Sequence, residues 1–157
     1  IHPIRGALTE HETLVLSRRA SLVLRVPRQR VGDCMALSGA ELTLGGRIVR
    51  VGVARERALK PHSAVHAYYV VTGHDEEVPF ALAIRDELRA RGTPCKLVCG
   101  KPHVIQSDEG PLTAYNLALY DLTDEQSLML QDRGLGLHHE LGCGLFLPHK
   151  SFAAVGA

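Results

Sequence analysis

The 157 residues are 45% hydrophobic and 22% charged, with a net charge of +1. That mixture excludes a disordered or fibrous chain, and no apolar run approaches the roughly 18 residues that a membrane-spanning helix needs. The small net charge hides a split: residues 1–60 hold 11 Arg and Lys against 5 Asp and Glu, a balance of +6, while residues 61–157 hold 7 against 12, a balance of −5. Ten of the 11 cations are Arg, the side chain best suited to phosphate forks and base stacking. The basic half therefore either meets an anionic partner or presents a solvated face. The chain opens on Ile1 rather than Met, and its start does not read as a signal peptide. A processed start or a longer parent chain is expected.

In chain order, Leu14-Val15-Leu16 is a short apolar run, and Leu22, Leu24 and Val26 alternate up to Pro27, predicting two strands. Val31, Cys34 and Met35 share one helical face within 28–37, and Gly39 can close that helix. Leu42 and Leu44, the Gly45-Gly46 turn, then Ile48, Val49, Val51 and Val53 predict a hairpin. The order is β-β-α-β-β, and 59–63, with Pro61 inside, reads as a linker.

The second half begins with a strand over 65–72. Asp75 is placed to cap a helix, Pro79 suits its first turn, and Phe80, Ile84 and Leu88 mark its buried face up to Gly92. Strands over 95–105 and 113–122 follow, joined by the loop 107–111. Thr123-x-x-Gln126 forms a capping box opening a helix that ends at Gly134, and 145–147 is a final strand. The order β-α-β-β-α-β over 65–148 is the ferredoxin-like arrangement, with both helices on one face of an antiparallel sheet.

The fold class predicted is α+β, as tandem ferredoxin-like repeats. An incomplete N-terminal repeat occupies 1–60, and a C-terminal repeat occupies 61–157. The first repeat lacks its initial β-α unit, which is expected to precede Ile1, since an incomplete repeat leaves an open edge and an uncovered apolar face. Cys34, Cys95, Cys99 and Cys143 include no second close pair to complete a zinc site. They read as small buried hydrophobes in a reducing cytoplasm, and no metal or cofactor is expected.

The densest motif is the glycine-rich segment 134–144, Gly134-Leu135-Gly136-Leu137-His138-His139-Glu140-Leu141-Gly142-Cys143-Gly144, lying before the last strand. Glycines permit positive φ and close backbone approach. Such a loop either aims N–H groups at a phosphate or uses its glycines for helix caps and bulges. This segment resembles the C-terminal glycine-rich loop of the CRISPR repeat-processing endoribonucleases, the Cas-six family of the RAMP superfamily. The resemblance is to the short Myxococcus-subtype members, which end in a similar run of G-x-G, a basic centre, G-C-G, an aliphatic-aromatic strand and a proline, with His138 and His139 standing where those members tend to carry Arg or Lys. Ile1-His2-Pro3-Ile4-Arg5-Gly6 resembles a segment that follows the first helix in that subtype.

The resemblance implies binding of CRISPR repeat RNA, often as a stem-loop, and one metal-independent cut per repeat. The ribose 2′-OH attacks the adjacent phosphate, leaving a 2′,3′-cyclic phosphate and a 5′-OH. It also implies retention of the guide and association with type I effector subunits, with no membrane partner. Such chemistry needs a base for the 2′-OH, an acid for the leaving 5′-oxygen and cations or N–H groups for the phosphoryl oxygens. By alignment the family's catalytic His falls upstream of Ile1, so His2 is the catalytic candidate nearest that region.

RNA-contact candidates are Arg133, Gly134, Gly136, His138, His139, Gly142, Gly144 and Lys150 at the loop, and Arg28, Arg30, Arg47 and Arg50 in the basic half. In related proteins a basic hairpin or helix grips the RNA stem, whose recognition is by shape and phosphates. The few aromatics, 4 Tyr and 3 Phe, argue against stacking of several unpaired bases on the sheet. Two other functions stay open: a non-catalytic RNA-binding subunit of a type I effector complex holding the guide 3′ handle, and a ferredoxin-like module that senses small molecules or assembles proteins.

Overall fold

The computed structural model describes residues 1–2, 7–8, 14–17 and 20–149. The chain divides into two compact units, one of Ile1–Val23 with Leu59–Ala157 and one of Leu24–Ala58. The fold is α+β, with antiparallel sheets, as expected for ferredoxin-like repeats.

In the larger unit, β1 (Ala7–Leu8) pairs with β2 (Leu14–Val15). The run expected as a strand over 22–26 forms no ladder; among the described residues its one backbone bond is His2 N–H to Val23 carbonyl, 3.0 Å. Alternation alone specifies an extended chain, and a strand also needs a partner along its length. Among the described residues, the first pairing strand of this half is Ala7–Leu8.

In the smaller unit, a 3-10 turn over Arg28–Arg30 leads into α1 (Val31–Met35), and Gly39 leaves it with φ 79°. β3 (Glu41–Leu44) and β4 (Arg47–Arg50) form a hairpin whose turn places Gly45 and Gly46 at φ 55° and 74°. Both φ values are positive, which is why two glycines are needed there. The strand stops at Arg50, short of the expected Val53. None of residues 24–58 is buried, and a two-stranded hairpin without a covered face is marginal by itself.

The ferredoxin-like repeat is complete in the larger unit. It comprises β5 (Ala64–Val70), α2 (Glu77–Ala90), β6 (Lys96–Ser107), β7 (Gly110–Tyr120), α3 (Asp124–Arg133) and β8 (Leu147–Pro148). The sheet order is β6-β7-β5-β8, all antiparallel. Val65, Ala67, Leu117 and Leu119 project from one sheet face, where Phe80, Ile84 and Leu88 of α2 and Leu130 of α3 complete a single core. Both helices thus cover the same face.

Several local features differ from the sequence expectation. The α2 N-cap is Glu76, not Asp75, and no side chain caps it; the Asp75 carbonyl instead accepts from the Tyr115 hydroxyl at 2.7 Å. The expected loop 107–111 is a tight turn, because pairing continues to Ser107–Gly110 and the Ser107 hydroxyl also binds the Gly110 carbonyl. The last strand is Leu147–Pro148, and Phe146 just before it is buried in the main core. The Thr123–Gln126 capping box forms as read, with reciprocal bonds of 3.3 and 3.0 Å. Among the described residues, no helix is long and apolar enough to cross a membrane.

Candidate nucleic-acid interface

The glycine-rich loop is built by close backbone approach. Gly134, Gly136 and Gly144 hold φ of 67°, 77° and 66°. A Cβ on Gly144 would lie 2.0 Å from the Leu135 carbonyl oxygen, and one on Gly136 would lie 2.4 Å from that of Val71. No side chain fits those distances, so these glycines are required by packing as well as by φ.

Several loop N–H groups are taken up by the fold. Leu137 donates to the Val71 carbonyl at 2.8 Å, Gly144 to Tyr69 at 2.6 Å, Leu135 to Gly144 at 3.2 Å, and Cys143 to His138 at 3.2 Å. The loop thereby continues the β5 edge beyond the short β8. These four donors serve the fold rather than an anion nest.

His138 and His139 differ sharply. His138 takes the left-handed conformation, φ 59°, and its Nδ1 lies 3.1 Å from Glu140 Oε1. The Glu140 carboxyl is held below the usual carboxylate range, first by its own backbone N–H and then by His138. The His139 ring turns inward, with Nε2 3.3 Å from the Leu135 carbonyl and close against Gly134 and Gly144. Cys143 is fully buried, and burial pushes its thiol up. Arg133 is exposed where α3 ends, Gly142 closes the loop's 3-10 turn at φ 83°, and Lys150 lies outside the described residues.

The basic candidates of the smaller unit are all exposed. Arg28 and Arg30 lie in the 3-10 turn, where Arg30 pairs with Asp33 at 2.5 Å between side chains about two-thirds exposed. Arg47 and Arg50 flank β4, with Arg50 opposite Glu41 across the hairpin. His2, the catalytic candidate, is 94% buried, its accessibility being 6%. Among the described residues, no group of three or more His, Cys, Asp or Glu is placed to hold a metal.

Two constellations escaped the sequence reading. On the sheet face opposite the helices, His66 lies 4.8 Å from Tyr68 and 5.1 Å from His149, which in turn stands 6.0 Å from Tyr120, all edge to face. The i, i+2 spacing of His66 and Tyr68 was a visible signal, whereas Tyr120 and His149 join only through strand register. Next to the loop, Tyr69, His103, Ile105 and Leu141 line a cleft of about 350 Å³, with Tyr69 and His103 edge to face at 5.5 Å.

The fold and surface define a ferredoxin-like protein with an internally braced glycine-rich loop and an arginine-bearing hairpin unit. The family profile described as Cas6 Crispr matches residues 1–151. Over 156 residues, 99% of the chain, it is 31% identical to the CRISPR-associated endonuclease Cas6 of Myxococcus xanthus (strain DK1622), and the match covers 67% of that protein. The chain belongs to the Cas6 family.

Proposed function

We propose that this chain binds CRISPR repeat RNA, as a stem-loop, and acts as the endoribonuclease that cuts precursor transcripts into guides. The observation that carries this reading is the identity, along nearly the whole chain, with a protein named as a CRISPR-associated endonuclease. In the proposed reaction the 2′-OH attacks the neighbouring phosphate, leaving a 2′,3′-cyclic phosphate and a 5′-OH, with no metal in the step. Alignment of the scissile linkage then matters most, because the nucleophile is already part of the substrate. Residues 1–60 belong to one repeat and 61–157 to the other.

The exposed Arg28, Arg30, Arg47 and Arg50 meet phosphates of the stem, whose grooves favour recognition by shape and backbone. His138, paired with Glu140, is the loop side chain turned toward RNA, with Arg133 before the loop and Lys150 after the last strand. His139 acts from within, by holding the loop.

The test is incubation of the labelled repeat RNA with the protein in EDTA. One cut per repeat and a cyclic-phosphate end are expected. The burial of His2 supports a second reading, a non-catalytic subunit of a type I effector complex that holds the guide 3′ handle. Tight binding of an intact repeat, by the protein with any native upstream segment restored, would establish that second reading and end the first.

A further inference from the structure

We propose that Glu87 of α2 and Arg91, which caps the C-terminus of that helix, are positioning residues for the glycine-rich loop, on which RNA affinity depends although neither side chain touches RNA; this rests on the reading that the loop contacts RNA. Arg91 sits one helical turn after Glu87, so both side chains leave α2 on one face. One guanidinium nitrogen of Arg91 donates to the Gly134 carbonyl at 2.7 Å, and the other pairs with Glu87 Oε1. The second carboxylate oxygen, Glu87 Oε2, accepts the Gly136 N–H at 3.1 Å. These contacts close a ring through Glu87, Arg91, Gly134, Leu135 and Gly136.

The ring sits where the loop's direction is decided. Gly134 and Gly136 bracket the exit from α3, and glycine has the widest backbone freedom. A carbonyl fixed at one glycine and an N–H fixed at the other select one path out of many. That path sets the orientation of His138, two residues further on. Both side chains are only 29% exposed, and charge-assisted bonds in such a setting are stronger than those at the open surface. The neighbouring Arg89–Asp86 pair on the same helix is 80% and 70% exposed and supplies an internal control.

The sign of one effect separates positioning from plain electrostatics. Glu87 carries negative charge beside a loop that meets phosphate, so its removal strengthens RNA binding if charge alone matters. Positioning requires the opposite. The experiment measures affinity of the full chain for its labelled repeat stem-loop across a salt series, together with amide exchange at Gly136 and Leu137.

In Glu87→Ala the Gly136 amide is expected to exchange at least tenfold faster, with RNA affinity about tenfold weaker and the salt slope unchanged. Glu87→Gln keeps an oxygen for the Gly136 N–H and is expected to recover most of the loss, while Arg89→Ala matches the parent. Unchanged exchange in Glu87→Ala and Arg91→Ala, or tighter RNA binding in Glu87→Ala, overturns the brace. A slope lowered by about one in Arg91→Ala makes Arg91 a phosphate contact and also overturns it. Faster exchange with unaltered affinity leaves the brace standing but removes the loop from the RNA interface, and the proposal with it. Should Glu87→Ala not fold, Arg91→Ala carries the exchange and affinity comparison, and Glu87→Gln carries the charge comparison, tighter RNA binding in it overturning the brace.

Discussion

Gly144 shows how tightly the loop is built at the scale of one residue. Its φ of 66° disfavours any side chain, and a Cβ would meet the Leu135 oxygen at 2.0 Å. Gly144→Ala is therefore expected to lower stability by about 2–4 kcal/mol, combining left-handed strain with overpacking. Urea denaturation checks this, and a midpoint within error of the parent would show that the loop can move aside. The same geometry changes what a glycine substitution reports about RNA. Valine at Gly136 would press on the Val71 carbonyl and the Val70 side chain, so lost binding would record a displaced loop rather than a lost contact.

At the scale of elements, the β3–β4 hairpin is the clearest candidate for gripping a stem. Its arginines stand at both ends of β4, and Arg50 lies across the ladder from the exposed Glu41. Replacing Arg47 and Arg50 together by Ala is expected to lower the slope of log affinity against log salt by somewhat under two, if each neutralises one phosphate. Filter binding across a salt series measures this, and an unchanged slope removes the hairpin from the interface. The helices were legible because their signals are local: Phe80, Ile84 and Leu88 recur at helical spacing, and the Thr123–Gln126 box satisfies its own N–H groups. Leu22 to Val26 misled because alternation says nothing of a partner.

At the scale of the whole molecule, three thiols are expected to make stability depend on alkaline pH; of the four cysteines read as buried only Cys143 is so, and Cys34, Cys95 and Cys99 are half-buried. Cys95, Cys99 and Cys143 have pKa values raised above the ordinary 9.0, in each case first by burial. Between the unfolded and folded values the unfolded chain binds fewer protons, so stability falls as pH rises. The stabilising contribution is complete below about pH 9 and is lost above it. Denaturation midpoints at pH 8 and pH 10 are expected to show the lower value at pH 10. A Cys95→Ala, Cys99→Ala, Cys143→Ala triple variant with the same pH dependence as the parent would refute this cause.

The sequence by itself determined the second repeat's order of elements, the helical faces, the turn glycines and the resemblance that family membership bears out. All of these rest on interactions within a few residues or on a motif that can be read in line. Tertiary structure decided what the glycine-rich segment does with its backbone. Its N–H groups pair with Val71, Tyr69 and Glu87, which lie far away in sequence. It also decided which of two adjacent histidines reaches the Leu135 carbonyl, and it brought His66, Tyr68, Tyr120 and His149 onto one sheet face. Strand register and close backbone packing set these outcomes, and neither has a local signature, because each depends on where a distant strand comes to lie.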